Sequence, residues 1–201
     1  VPTEAELLAA LQEVTASEIE ALKDDVVIEP LIAEGVALKG SKVKKVAQNE
    51  AMGTTEWILK NGVKVVLKQT DYEADRIRLN AISEGGAALF SDDDFWTAQL
   101  LSSVMGESGI SKFSASDLRK QLAGKVASAG ANVGMYDHSV LGQASLKDVE
   151  TMLQLVYLQF TAPRFDKGDF DNFINRISPM LVNQESNPDF IFSKEVMKTI
   201  Y

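Results

Sequence analysis

The densest group of side chains able to move a proton is Asp92-Asp93-Asp94. A glycosidase needs two carboxylates several ångströms apart across a sugar, and this cluster is where such an enzyme would find them. Adjacent residues at a helix start rarely aim at one substrate, however, and acids there suit the positive end of the helix dipole, so capping is the favoured reading. Asp166-Lys-Gly-Asp169-Phe-Asp171 resembles a calcium loop only faintly. The EF-hand pattern wants Gly at its sixth position and Glu at its twelfth; here Gly168 is third and Ile177 is twelfth. Ser102 and Ser103 lack the G-x-S-x-G elbow of a hydrolase serine. Gly85-Gly86 and Gly106-Glu-Ser-Gly109 match neither a P-loop nor a dinucleotide fingerprint. The one histidine, His138, follows Asp137 at a strand start and reads as a satisfied edge residue rather than a lone ligand. There is no cysteine, which removes thiolate zinc sites, iron–sulfur clusters, disulfides and cysteine nucleophiles together. On residue chemistry alone this is a soluble α+β domain without an evident active site.

Composition bounds the same answer. The chain has 201 residues, 45% of them apolar and 24% charged, with a formal charge of −9. Enough apolar surface exists to offset chain entropy, so disorder is excluded as the main state. The acidic balance repels phosphates and speaks against nucleic acid as a partner. No apolar stretch is long enough for a membrane span. The sequence opens on Val1 without a signal segment, and the helical pattern over 190–201 still runs at Tyr201, which together suggest a segment of something larger.

The elements that must position these residues follow from local pattern. The first 34 residues carry nine acids and one base; residues 35–50 carry four lysines and one acid. Thr3 with Glu6, then Thr15 with Glu18, are capping boxes for two short helices. Gly35 to Asn49 reads as an extended connector, with Lys39, Lys42, Lys44 and Lys45 solvated or docked on a neighbour. Asn61-Gly62 between two apolar runs predicts a type I′ hairpin. A third strand is predicted over 76–83, and a helix over 95–105 after the three aspartates. Ser114 with Asp117 opens a short helix, and two strands follow over 125–134 and 138–143. Ser145 with Asp148 opens the most regular helix, with Leu146, Val149, Met152, Leu153, Val156, Tyr157 and Phe160 on its apolar face. Further helices are predicted over 170–181, where Pro179 kinks or ends the helix, and after Asn187-Pro188. Strands and helices are partly segregated, which argues for an α+β two-layer sandwich with a mostly antiparallel sheet.

Residues 54–201 resemble the pitrilysin/insulinase-type zinc metallopeptidases, the inverzincins. The resemblance is carried by Trp57-Ile-Leu-Lys-Asn-Gly-Val-Lys-Val-Val-Leu-Lys68, by Ser83-Glu-Gly-Gly86, by Phe113-Ser114 with Leu118-Arg-Lys-Gln-Leu-Ala-Gly-Lys125, and by Asp148 with Thr151-Met-Leu-Gln-Leu155, Tyr157-Leu158 and Phe160-Thr-Ala-Pro-Arg164. The detail is most similar to the second half of the large bacterial envelope members. The resemblance implies two homologous halves, each of two α+β domains, closing around a peptide chamber. The active half carries H-x-x-E-H, whose two His bind zinc and whose Glu is general base, with a further Glu downstream. Here those positions fall on Gln99, Leu100, Leu101, Ser102 and Ser103, and no acid lies between Phe173 and Asn183. The resemblance therefore implies a degenerate half-domain with no catalytic, cofactor-binding or metal-binding residue of its own.

On this reading residues 1–53 are the linker between halves, residues 54–201 are the domain, and its partner domain follows Tyr201. Zinc is expected only in the catalytic half of the parent protein. The implied partners are that half and a peptide substrate, and the implied location is periplasmic or exported. Two alternatives stand beside a chamber wall: a structural or interaction domain with no peptidase role, and an acidic glycosidase-like enzyme using Asp92–Asp94.

Overall fold

The computed structural model describes residues 2–16 and 29–200. An N-terminal helix, α1 (Glu4–Ala16), is held by the expected reciprocal cap: the Thr3 amide donates to the Glu6 carboxylate at 2.7 Å and the Glu6 amide donates to the Thr3 hydroxyl at 3.4 Å. The second capping box involves Glu18, which lies outside the described residues.

Three strands form a first antiparallel sheet in sequence order: β1 (Val43–Asn49), β2 (Thr54–Leu59) and β3 (Lys64–Leu67). The stretch expected as a connector thus contains a strand. Its alternation is disguised by a bulge between Val43 and Lys45, which sets Val43 opposite Leu59 and Val46 opposite Trp57. Two valines three residues apart then share one face, a spacing a regular strand forbids. The β2–β3 turn also differs from expectation. It is a three-residue loop: the Gly62 amide donates to the Leu59 carbonyl and the Leu59 amide donates to the Val63 carbonyl. Gly62 takes φ +91°, but Asn61 does not take positive φ. The Asn61 side chain instead accepts from the Val63 amide, a G1-bulge hairpin rather than type I′.

The second sheet runs β4 (Ile77–Glu84), β6 (Asp137–Ala144), β5 (Ala127–Val133), also antiparallel. Side chains alternate across it. Val140 and Ala144 are buried on one face, while Leu141 and Ile82 are exposed on the other. Five helices follow β4 or lie between and after the strands: α2 (Asp92–Ser108), α3 (Ala115–Gln121), α4 (Val149–Thr161), α5 (Lys167–Glu185) and α6 (Pro188–Ile200). Helix α4 packs on β5 and β6, and α2 lies along β5 with α5 against it. The architecture is α+β, antiparallel sheet with helices layered on one face.

Helix α4 buries a face rotated from the expected one. Met152, Leu155 and Leu158 are buried with Thr151, whereas Leu146, Leu153 and Phe160 stay exposed. The helix is apolar nearly all round, so periodicity cannot choose between its two stripes. Ser145 does not cap it; a 3₁₀ turn at 146–148 precedes it. Helix α5 runs through Pro179 to Glu185 rather than ending there. The core gathers Leu31, Ile110, Phe113, Leu155 and Leu158. Leu31 comes from before β1, and beside it the Gln121 side chain donates to the Glu29 carbonyl.

Candidate functional site

Helix α2 carries the positions that matter most. Ser91 caps it, accepting from the Asp94 amide at 3.3 Å while its hydroxyl donates to the Asp94 carboxylate at 2.9 Å. Asp92, Asp93 and Asp94 occupy the exposed first turn, and Asp94 is engaged in that cap. The cluster is a helix start, as capping chemistry requires.

One and two turns further on, Gln99 and Ser102 are half-buried and Ser103 is exposed. The Ser102 hydroxyl oxygen accepts the Val133 amide of β5 at 2.8 Å. Beside this bond lies a cleft of about 500 Å³, walled by Ser102 and Met105 of α2, Ala129 to Ala131 of β5, Gln159 of α4 and Arg176 of α5. The amide of Gln159 donates to the Ala129 carbonyl at 3.4 Å. At the cleft, Arg176 pairs with Glu107 at 2.5 Å, joining α5 to α2.

These residues do not fit zinc. The metal takes thiolate sulfur, imidazole nitrogen or carboxylate oxygen, almost always four donors in a structural site and three in a catalytic one. Helix α2 offers an amide and two hydroxyls at 99, 102 and 103, and the Ser102 oxygen is already committed to a main-chain hydrogen bond. From α5 the cleft receives the cation of Arg176 where the resemblance would place an acid. Among the described residues no group of three or more His, Cys, Asp or Glu side chains is placed to hold a metal ion.

The remaining sequence candidates are accounted for locally. His138 Nε2 accepts the Gly86 amide at 3.2 Å, tying the Gly85-Gly86 loop to β6. A Cβ on Gly85 would lie 2.3 Å from His138 Nδ1, so the loop needs glycine there. Asp166 caps α5 through the Asp169 amide at 3.1 Å, and Arg164 pairs with both carboxylates, so this segment is a helix start and not a cation loop. Gly109 ends α2 at φ +80°, ψ −147°, a region essentially reserved for glycine, with the Phe113 carbonyl 2.3 Å from where a Cβ would sit. The Asp148 carboxylate accepts the Val126 amide at 2.9 Å and the Ser145 hydroxyl at 2.7 Å, and these bonds, the backbone one first, hold its pKa below the usual aspartate value. Sequence reasoning missed Gln159, Arg176 and the β5 main chain as cleft walls. Only the packing of four separate elements brings them together.

No family model matches the chain. It is 26% identical over 151 residues, 75% of its length, to a PQQL-like zinc protease of Arabidopsis thaliana. Its fold matches that of a ferredoxin protease, FusC, solved as a mutant in complex with Arabidopsis ferredoxin, with a TM-score of 0.71 at 20% identity over 98% of this chain. It also matches the periplasmic protease PqqL from Escherichia coli, with a TM-score of 0.72 at 19% identity over the whole chain. The chain spans 13% of the Arabidopsis protein and 22% of each of the two solved proteases. The sequence match over three quarters of its length, joined to the motifs carried by β2–β3, Gly85-Gly86 and α4, makes this chain similar to a domain of the pitrilysin/PqqL-like zinc proteases.

Proposed function

We propose that this domain is a non-catalytic wall of the peptide-degrading chamber of a zinc metallopeptidase. The observation that carries the reading is the Ser102 hydroxyl. At the position where the family's active half presents its general-base glutamate, this side chain bonds to β5 instead. Gln99 and Ser103, at the two histidine positions, and the acid-free stretch of α5 between Phe173 and Asn183 support it. The segment before Leu31 serves as the connection to the catalytic half, which is the domain's first partner and holds the zinc, while Leu31 and β1 pack with the domain. The substrate is a polypeptide, in keeping with a structural neighbour captured with a ferredoxin. The parent protein is exported or periplasmic, in keeping with a neighbour described as periplasmic.

The test is elemental analysis of the 201-residue chain after dialysis against trace zinc, followed by a peptide-cleavage assay of the chain joined to its catalytic half. We expect zinc near zero in the chain alone and cleavage only in the joined protein. One tightly held zinc per chain would overturn the degenerate-half assignment. A zinc-free, inactive joined protein would favour a purely structural domain.

A further inference from the structure

The bulge in β1 sorts the charge of the first sheet. Because Val43 and Val46 share one face, Lys44 and Lys45 between them both fall on the other, beside Ile58 of β2. Lys64 of β3 also pairs with Ile58, so alternation puts Lys64 and then Lys68, just past β3, on that same face. Lys42 and Lys60 join it one step beyond the Val43–Leu59 pair, where the Lys60 amide donates to the Lys42 carbonyl. All six lysines are exposed, and they border Ile58 and Val66. Glu56, the one strand acid on this face, pairs with Lys64 at 2.8 Å; among the described residues the other five lysines have no ion pair. Residues 39–68 hold seven lysines and two glutamates, whereas the rest of the chain holds 13 basic and 27 acidic residues. Lysines that only guard a sheet edge against strand pairing work from either face. Here every lysine of the sheet lies on one.

We infer that this lysine face docks on an anionic phospholipid bilayer. Three adjacent strands, roughly 4.8 Å apart, present the charges side by side in one layer, which suits a broad surface rather than a single bound group. A lysine ammonium is a point charge that follows a diffuse negative potential, whereas bidentate capture of one phosphate or carboxylate favours arginine. No arginine occurs in residues 39–68. Nor is there an aromatic platform for nucleic-acid bases, because Trp57 pairs with Val46 and Val65 on the opposite face. Val66, exposed beside the lysines, supplies apolar contact at headgroup depth. The acidic remainder of the chain does not cancel the attraction, since charges are largely screened beyond about 8 Å at physiological salt. The inference goes beyond the proposed function and stands apart from it, because the lysine face and the cleft share no residue.

The experiment is co-sedimentation of the 201-residue chain with vesicles of phosphatidylcholine alone or with about one third phosphatidylglycerol. We expect the anionic vesicles to bind at least tenfold more strongly at 0.1 M salt, and the difference to vanish at 0.5 M. Lys44→Glu with Lys45→Glu should weaken binding at least tenfold, since each lysine at an anionic surface is worth about fivefold. Lys194→Glu with Lys198→Glu on α6 makes the same change in net charge and should leave binding unaltered. If the β1 variant misfolds by circular dichroism, the lipid and salt comparison on the unmodified chain decides, with Lys60→Glu and Lys68→Glu as the second variant. Equal binding to both vesicles would place the contact on exposed apolar side chains and overturn the inference. So would an equal loss from the α6 variant. Retention on polyglutamate without vesicle binding, abolished by the β1 variant, would assign the face to an acidic polypeptide and overturn the bilayer as occupant. Binding to neither would leave the lysines as edge guards and overturn it as well. Zinc in the chain would sink the proposed function but leave the lipid face standing.

Discussion

Asp148 shows how much one side chain does for the sheet. Its carboxylate closes the end of β5 by accepting the Val126 amide, and it also takes the Ser145 hydroxyl. Both bonds favour the charged form and lower the pKa. A depressed folded-state value stabilises the protein above the unfolded value, and that contribution is lost as pH falls through the folded value. Asp148→Asn should therefore unfold at lower urea than the parent at neutral pH. The gap should close as the pH is taken below the ordinary aspartate range; a gap independent of pH would refute the assignment. Ser108 presents the opposite case. It is fully buried at the end of α2, and among the described residues its hydroxyl has no hydrogen-bond partner. A buried polar group left unpaired costs about 1–3 kcal/mol. Ser108→Ala should leave the melting temperature unchanged or raise it, as calorimetry would read directly.

Between elements, the strongest tie is Arg164, on the loop from α4 to α5. Its guanidinium donates to the Ser108 carbonyl at 2.5 Å, to Asp169 at 2.6 Å and to Asp166 at 3.0 Å. One planar cation thus joins the C-terminal end of α2, where carbonyls are orphaned, to the first turn of α5, where the two carboxylates sit. The cleft lies between the same two helices. Arg164→Ala should cost about 1.5–3 kcal/mol in chemical denaturation, the range for hydrogen bonds to charged groups. Lysine should recover only part of this, because a point charge cannot hold three acceptors with fork geometry. It should also speed hydrogen exchange at the first turn of α5, while β4 and β6 stay protected.

For the molecule as a whole, the decisive quantity is surface. The chain exposes 15727 Å², whereas a compact monomer of 21.9 kDa exposes about 9300 Å². Large apolar side chains stand exposed on each outer helix: Leu153 and Phe160 on α4, Met180 and Val182 on α5, and Phe192, Met197 and Ile200 on α6. The first sheet adds Val43, Val46 and Leu67, all exposed on one face by the bulged register. Exposed apolar side chains in this number fit surfaces that a neighbouring domain covers. The isolated chain should bind a hydrophobic dye strongly and self-associate in sedimentation at micromolar concentration. A dye-silent monomer would show that these surfaces tolerate water, and would weaken the chamber-wall reading.

Local chemistry alone determined a good part of this protein. Ser91, Ser114 and Asp166 each start a helix, because a short polar side chain beside orphan amides has one favourable use. The absence of cysteine and the single histidine already leave the chain without a thiolate zinc site or a site needing two imidazoles of its own. Other features depend on what lies across the structure. The β1 strand was hidden because a bulge changes which residues share a face, and only pairing with β2 shows where the extra residue goes. The buried face of α4 was misjudged because both of its stripes are apolar, and contact with β5 and β6 selects between them. The cleft was invisible for a deeper reason. Its β5 wall is little more than the main chain that every residue carries, and which helices and side chains stand against it is decided by the tertiary fold.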